Sequence, residues 1–288
     1  MSPPTTVQTI ERPAAPHGPG IHPSAIISGD CTIPASCTIG PFCVLEGPIT
    51  LGENVKLVSH VCLRGPVTIG DGTIVYPNAA IGFEPQDLKI KQGFRTAGVR
   101  IGKDCLIREC VTIHAASKSP EQGPPTTIGD RVFMMVSAHA GHDVRVDDDV
   151  VLVNAVLLAG HCHVGRKATL GGEVAMHQFA RVGEFAFVSG CTGHALDVPP
   201  YMIAGSRNHV HGINAVGLRR NGFPREHITQ LRKAFREAFR VRLPRSEQVA
   251  VLRALAVDCP PVGVLADFVE TSKRGVCAGS NFATEEDI

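Results

Sequence analysis

From Ile21 onward the chain can be cut into sixes: IHPSAI, ISGDCT, IPASCT, IGPFCV, LEGPIT, LGENVK, LVSHVC, LRGPVT, IGDGTI, VYPNAA. Position one is Ile, Leu or Val throughout this run, and position five is Ala, Cys, Ile, Val or Thr. The register resumes at Ile101 with IGKDCL and IRECVT, then continues from Ile128 through IGDRVF, MMVSAH, AGHDVR, VDDDVV, LVNAVL, LAGHCH, VGRKAT, LGGEVA, MHQFAR, VGEFAF and VSGCTG. A period of six fits neither an amphipathic helix nor a strand with one wet face. Short strands joined by tight turns do fit it, with three sixes closing one turn of a triangular coil. Position one then fills the axis, and the glycine frequent at position two is expected to ease the corner. The predicted fold is a parallel β-helix. Thirty glycines, two tyrosines and no tryptophan agree with a backbone-rich repeat.

The register breaks twice. Ile81 and Ile101 are twenty residues apart, and Ile113 and Ile128 fifteen, so loops near 83–100 and 114–127 must leave the coil. Insertions in solenoids collect on a working face, although either loop can be a plain surface excursion. After Pro199 the sixes stop, and from Pro224 apolar residues recur at helical spacing: Ile228, Leu231, Phe235, Phe239. Ser246 precedes Val249, Leu252 and Leu255, and a third helical stretch follows Pro260 and Pro261. The expected organisation is therefore a proline-rich, disordered stretch over 1–20, the coil over 21–200, a connection over 201–222 and an α-helical domain over 223–288.

Net charge is only +1, which gives no global field to recruit nucleic acid. No apolar run is long enough to span a bilayer and no secretory pattern opens the chain, so the expected location is cytoplasmic. The ten cysteines carry no CxxC pair, and Cys31, Cys37 and Cys43 keep the six-residue period. They read as small buried side chains.

Hexads beginning at Ala140, Leu158 and Met176 differ by eighteen residues and must stack on one side of the prism. That clusters His142, Gly160, His161, His177 and Gln178, with His139 at the same edge. None occupies position one or five, so their side chains are expected to point outward. A single outward histidine is usually ordinary solvated surface. Three imidazoles on neighbouring strands could also bind zinc, but no acidic or cysteine ligand completes an obvious shell. Acid–base chemistry is the preferred reading, with His142 taking a proton and Asp143 fixing its tautomer.

The motifs QDLK, AHAGHD, LAGH, HQF, DVPPY and GLRRNGF follow in order along this scaffold. In that combination the chain resembles the UDP-N-acetylglucosamine O-acyltransferase family, hexapeptide-repeat enzymes of lipid A biosynthesis. The resemblance implies a left-handed coil, a homotrimer with sites between subunits, no cofactor, and transfer of an (R)-3-hydroxyacyl group from acyl carrier protein to the glucosamine 3-hydroxyl of UDP-N-acetylglucosamine. By motif position it implies His142 as general base, Asp143 as its partner and Gly160 as the oxyanion donor. It further implies that His139, His161, His177 and Gln178 line the substrate cleft, that Asp87 and Lys89 reach the sugar and phosphate, that Asn214 and Arg220 contact the nucleotide, and that Gly190 limits acyl length. Departures at Ala140, Val216 and Asn221 leave the acceptor open between a 3-hydroxyl and a 3-amino sugar. An N-acyltransferase of the same pathway, a zinc lyase of the same architecture and a non-catalytic scaffold are the competing readings. Nine Lys or Arg between Arg219 and Arg245, against Glu226 and Glu237, suit an acidic carrier protein or a plain solvated helix face.

Overall fold

The structure is a computed structural model that describes residues 19–91 and 93–280. The disorder expected over 1–20 falls almost wholly outside these residues, but Gly20 already pairs with Thr38 in the first rung. Short strands alternate among three parallel sheets. Sheet A begins with Gly20–Ile21 and Thr38–Ile39, sheet B with Ile26–Ser28 and Val44–Glu46, and sheet C with Cys31–Thr32 and Ile49–Leu51. Each strand hydrogen-bonds to the strand one turn away, as in the rungs Ala140, Leu158, Met176 and His194 of sheet B. Positions one and five point inward as expected: Val132, Met134, Ala138, Ala140, Val144 and Val146 are all buried.

The corner works differently from the expectation. The left-handed residue is position four, where Arg131, Ser137, Asp143, Asp149, Ala155 and His161 have φ between 54° and 62°. Where glycine does stand at position two, as at Gly40, Gly52 and Gly70, it allows close stacking instead. A Cβ on Gly40 would lie 1.8 Å from the carbonyl oxygen of Val58 in the next turn, so no side chain fits there. Burial of the cysteines is also uneven: Cys37, Cys43, Cys105, Cys162, Cys259 and Cys277 are buried, whereas Cys110 and Cys191 are exposed.

Both insertions leave the coil at the same corner, between sheets B and C. The first follows Ala80–Ile81 and the second follows Thr112–Ile113, and both return at sheet C, at Val99–Ile101 and Thr126–Ile128. Beyond Pro199 the chain is more structured than a connection. Met202–Ser206 pairs with Phe187–Val188 and turns back against His209–Ile213 as an antiparallel hairpin. Helix α1 (Ala215–Arg220) follows, then α2 (Arg225–Ala238), α3 (Arg245–Leu255) and α4 (Pro260–Glu270). The expected face of α2 is the buried one, with Ile228, Leu231 and Phe235 inside. Ala278–Gly279 closes the unit by pairing with His209–Val210. Asp197, 1% exposed, ties the last turn to the tail through Arg181 and the Ser272 hydroxyl.

Candidate active site

The corner between sheets B and C carries the histidines. His142 and Asp143 follow the strand His139–Ala140, Gly160 and His161 follow Leu157–Leu158, and His177 and Gln178 follow Ala175–Met176, each pair one turn above the last. His142 Nδ1 lies 2.6 Å from Asp143 Oδ2. An ionised carboxylate only accepts, so Nδ1 carries the proton and Nε2 is left as the acceptor. His142 stays outside the core but is only 9% exposed. Its cover comes from the corner itself: His161 meets it edge-on at 5.0 Å, and the ring lies so close over Gly160 that a Cβ there would sit 2.5 Å from Nε2. Gly160 is therefore needed to seat the base.

Burial opposes charge on Asp143, but hydrogen bonds from Ser117 and His142, with His161 nearby, outweigh it and hold the carboxyl below the usual range. His161 Nε2 lies 3.6 Å from Asp143 Oδ2, and its ring stacks on Phe179 at 4.4 Å. Burial lowers the pKa of His161 despite Asp143, and lowers that of His139, with His114 adding to the second effect. Both rings are thus neutral donors or acceptors at neutral pH.

A cleft of about 460 Å³ opens beside the pair, lined among others by Gln86, His114, His139, His142, Gly160 and Gln178. Leu157, half exposed, and Ala175 make part of its wall apolar. Of the residues singled out in the sequence, His139, His142, Gly160 and Gln178 line this cleft, while Asp143 and His161 contact His142 and line a second cleft of about 770 Å³ on the sheet C side. His177 is exposed on the next turn, outside the cleft lining, with Nδ1 bonded to the Gln178 carbonyl. Asp87 and Lys89 share the first insertion with Gln86 but bond to each other, through the Lys89 N–H and Asp87 Oδ1. Gly190 lies on a different corner, between sheets A and B. Asn214 caps α1, accepting from the Gly217 N–H and donating to the Phe185 carbonyl, and Arg220 is exposed in the last turn of that helix. Arg219, Arg225 and Arg232 line a separate cleft of about 380 Å³ beside α2.

Sequence reasoning missed His114, Ser117 and Gln86. His114 donates from Nδ1 to the Glu84 carbonyl and stands 5.4 Å from the His139 ring, with Thr112 bonded to His139 Nδ1. Gln86 lies between Ile81 and Ile101, and His114 and Ser117 between Ile113 and Ile128, so periodicity gave no register for either loop.

His142, Asp143 and His161 are also the one group of three metal-type ligands among the described residues. Zinc holds its donors about 2 Å away, which separates neighbouring donors by more than 3 Å. The 2.6 Å approach of His142 Nδ1 to Asp143 Oδ2 is a hydrogen bond and leaves no room for an ion between them.

Comparison with known proteins identifies what the chain as a whole is similar to. A family model described as "Udp N-acetylglucosamine O-acyltransferase; Domain 2" matches residues 197–277. The chain is 42% identical over 257 residues to the acyl-(acyl-carrier-protein) UDP-N-acetylglucosamine O-acyltransferase of Anaeromyxobacter sp. (strain K), covering 89% of this chain and 98% of that protein. It is 39% identical over 182 residues to the Synechocystis protein of the same name, covering 63% of this chain and 64% of that one. The solved structure of Francisella novicida UDP-N-acetylglucosamine acyltransferase superposes with a TM-score of 0.85 at 33% identity, covering 93% of this chain and 98% of that chain. On this similarity along nearly its whole length, the chain belongs to the UDP-N-acetylglucosamine O-acyltransferase family.

Proposed function

We propose that the protein transfers an (R)-3-hydroxyacyl group from acyl carrier protein to the 3-hydroxyl of UDP-N-acetylglucosamine, with His142 as general base. The observation that carries this reading is the pairing of a base whose Nε2 is free with a backbone donor beside it. The Gly160 N–H makes no hydrogen bond among the described residues, and the His142 ring lies directly against this glycine.

An alcohol is a weak nucleophile at neutral pH, so its proton must leave as it attacks. His142 Nε2 takes that proton while the oxygen forms its bond to the thioester carbonyl carbon. The carbonyl oxygen becomes an oxyanion, which the Gly160 N–H stabilises. The intermediate collapses, the carrier's sulfur leaves, and the imidazolium returns the proton to it. Asp143 supports the imidazolium and keeps Nδ1 protonated throughout. The apolar wall at Leu157 and Ala175 suits the acyl or pantetheine portion of the donor.

The cleft is open on one side, and His177, Asp87, Lys89 and Gly190 do not meet His142 within one chain. We therefore place the working site between subunits of a homotrimer, where a neighbour's corner would close it. The arginine-lined cleft beside α2 suits an acidic carrier protein. No helix among the described residues is long and apolar enough to cross a membrane; with carrier protein and nucleotide sugar as substrates, the expected location is the cytoplasm.

The test is incubation with UDP-N-acetylglucosamine and a series of 3-hydroxyacyl carrier proteins, followed by product mass. His142→Ala should lower kcat by ~10² to 10⁴ fold while folding is retained. Turnover that survives this substitution, or that needs added zinc after chelation, overturns the reading.

A further inference from the structure

The second insertion does more than pass the corner. Its first turn places Ser117 against Asp143: the Ser117 hydroxyl donates to Oδ2 at 2.6 Å, and the Ser117 backbone N–H reaches both carboxylate oxygens at 3.2 Å. Its far end places Thr126, fully buried, where the threonine Oγ1 accepts the Asp143 backbone N–H at 2.9 Å. One excursion thus grips the aspartate twice, by side chain and by main chain. Hydrogen bonds to an ionised acceptor are shorter and stronger than neutral ones, and two donors fix a carboxylate plane more firmly than one.

Oδ2 is the oxygen that both Ser117 Oγ and His142 Nδ1 approach at 2.6 Å. The two donors therefore share one acceptor. Position four also leaves Asp143 in the left-handed region at φ 58°, so its side chain leaves the coil at an angle set by the turn. We propose that Ser117 is a positioning residue for the acid–base pair, with the insertion that carries it acting as a clamp on the Asp143 carboxylate. This rests on the reading of His142 as the base. Ser117 touches no reacting atom; it acts by fixing where the carboxylate points and how much of its charge His142 receives. The other titratable group at the carboxylate is His161 from the turn above, which Lys118 of the insertion faces in turn.

Removing the hydroxyl frees Oδ2 from one of its two close donors and leaves more negative charge to the imidazole. The protonated form of the base is then favoured, so the acid limb of the pH–rate profile should move to higher pH.

The experiment compares wild type, Ser117→Ala, Ser117→Thr and His142→Ala, each checked for folding by circular dichroism. Ser117→Ala should lower kcat roughly 10-fold with KM for the nucleotide sugar within about twofold, and shift the acid limb upward by roughly half a pH unit. Ser117→Thr keeps a hydroxyl and should recover most of the rate and the original limb. If Ser117→Ala does not fold, Ser117→Gly serves as the hydroxyl-free variant, with the same lowered kcat and raised acid limb expected and a wild-type profile overturning the clamp. An unshifted limb with unchanged kcat in Ser117→Ala overturns the clamp while leaving the base in place. Full turnover by His142→Ala overturns the underlying reading instead.

Discussion

Two corners of the same prism share a backbone and differ in what they do with position three. At the corner between sheets C and A, the position-three N–H groups of Glu53, Lys103 and Asp130 are each capped by a carboxylate from the next turn, Asp71, Asp130 and Asp148 in order. At the corner between sheets B and C, Gly160 occupies position three and its N–H stays without a partner among the described residues. Those three rungs close their hydrogen bonding, whereas Asp148, Arg166 and Glu184 on other turns of the first corner leave their N–H groups without a partner among the described residues. What sets the second corner apart is that its open donor at Gly160 lies against an imidazole. A repeat therefore needs no new fold to acquire chemistry; it needs a base placed beside an open rung.

The sharpest way to break this contrast is to add one methyl group at each corner. Gly160→Ala would drive Cβ to 2.5 Å from His142 Nε2, a flexible ring that can swing aside. We expect kcat to fall ~10² to 10³ fold, comparable to losing an oxyanion donor, with little change in melting temperature. A normal rate would mean that Gly160 does not seat the base.

A second comparison sets His142 against His194, which lies three turns on in a strand of sheet B. His194 occupies position one, is 2% exposed, and bonds to Thr192 and the Asn208 N–H. Burial, with a smaller contribution from His209, lowers its pKa to about 4. The unfolded chain then binds a proton near pH 6.5 that the folded chain refuses until about pH 4, so stability falls as pH drops across that window. The loss is of order 3 kcal/mol at its fullest. Thermal unfolding of wild type and His194→Asn between pH 7 and pH 4 checks this, and equal slopes would refute it.

At the capped corner, Gly102→Ala places Cβ 2.2 Å from Asp130 Oδ1 and 2.6 Å from the Gly129 carbonyl oxygen, where the obstacle is partly rigid backbone. Here the cost should be stability, about 1–3 kcal/mol, with activity per folded protein unchanged. Denaturant titration alongside initial rates separates the two corners. Equal losses of rate at Gly102 and Gly160 would erase the distinction between them.

Much of this was legible in the sequence because a strict period turns spacing into place. The buried positions, the stacking of Ala140, Leu158 and Met176, and the helical face of α2 all follow from counting. The corner was misread for a physical reason: glycine is frequent at position two because two backbones nearly touch there, while the left-handed turn falls to non-glycine residues as varied as Asp143, His161, Ala155, Lys167 and Phe179 at position four. The hairpin at Met202–Ile213 and the short helix α1 lie where the period has lapsed and too few residues carry a pattern. Ser117 and His114 sit in or beside an aperiodic insertion, so only coordinates can bring them to Asp143 and His139. Asn214 has a structural role that no motif announced, capping α1 at one end of its amide and fastening it to Phe185 at the other.

The conformation of position four has a further consequence for this corner. Asp143 and His161 both sit at positive φ, 58° and 62°, where asparagine, aspartate, histidine and glycine are at ease and branched side chains are not. Position four elsewhere in the coil holds Phe, Arg, Lys, Glu, Ala, Ser and Cys at the same positive φ but no Val, Ile or Thr, so exchange at these two sites is limited to side chains without a branched Cβ. Asp143→Asn changes charge alone, whereas Asp143→Val would also tax the main chain.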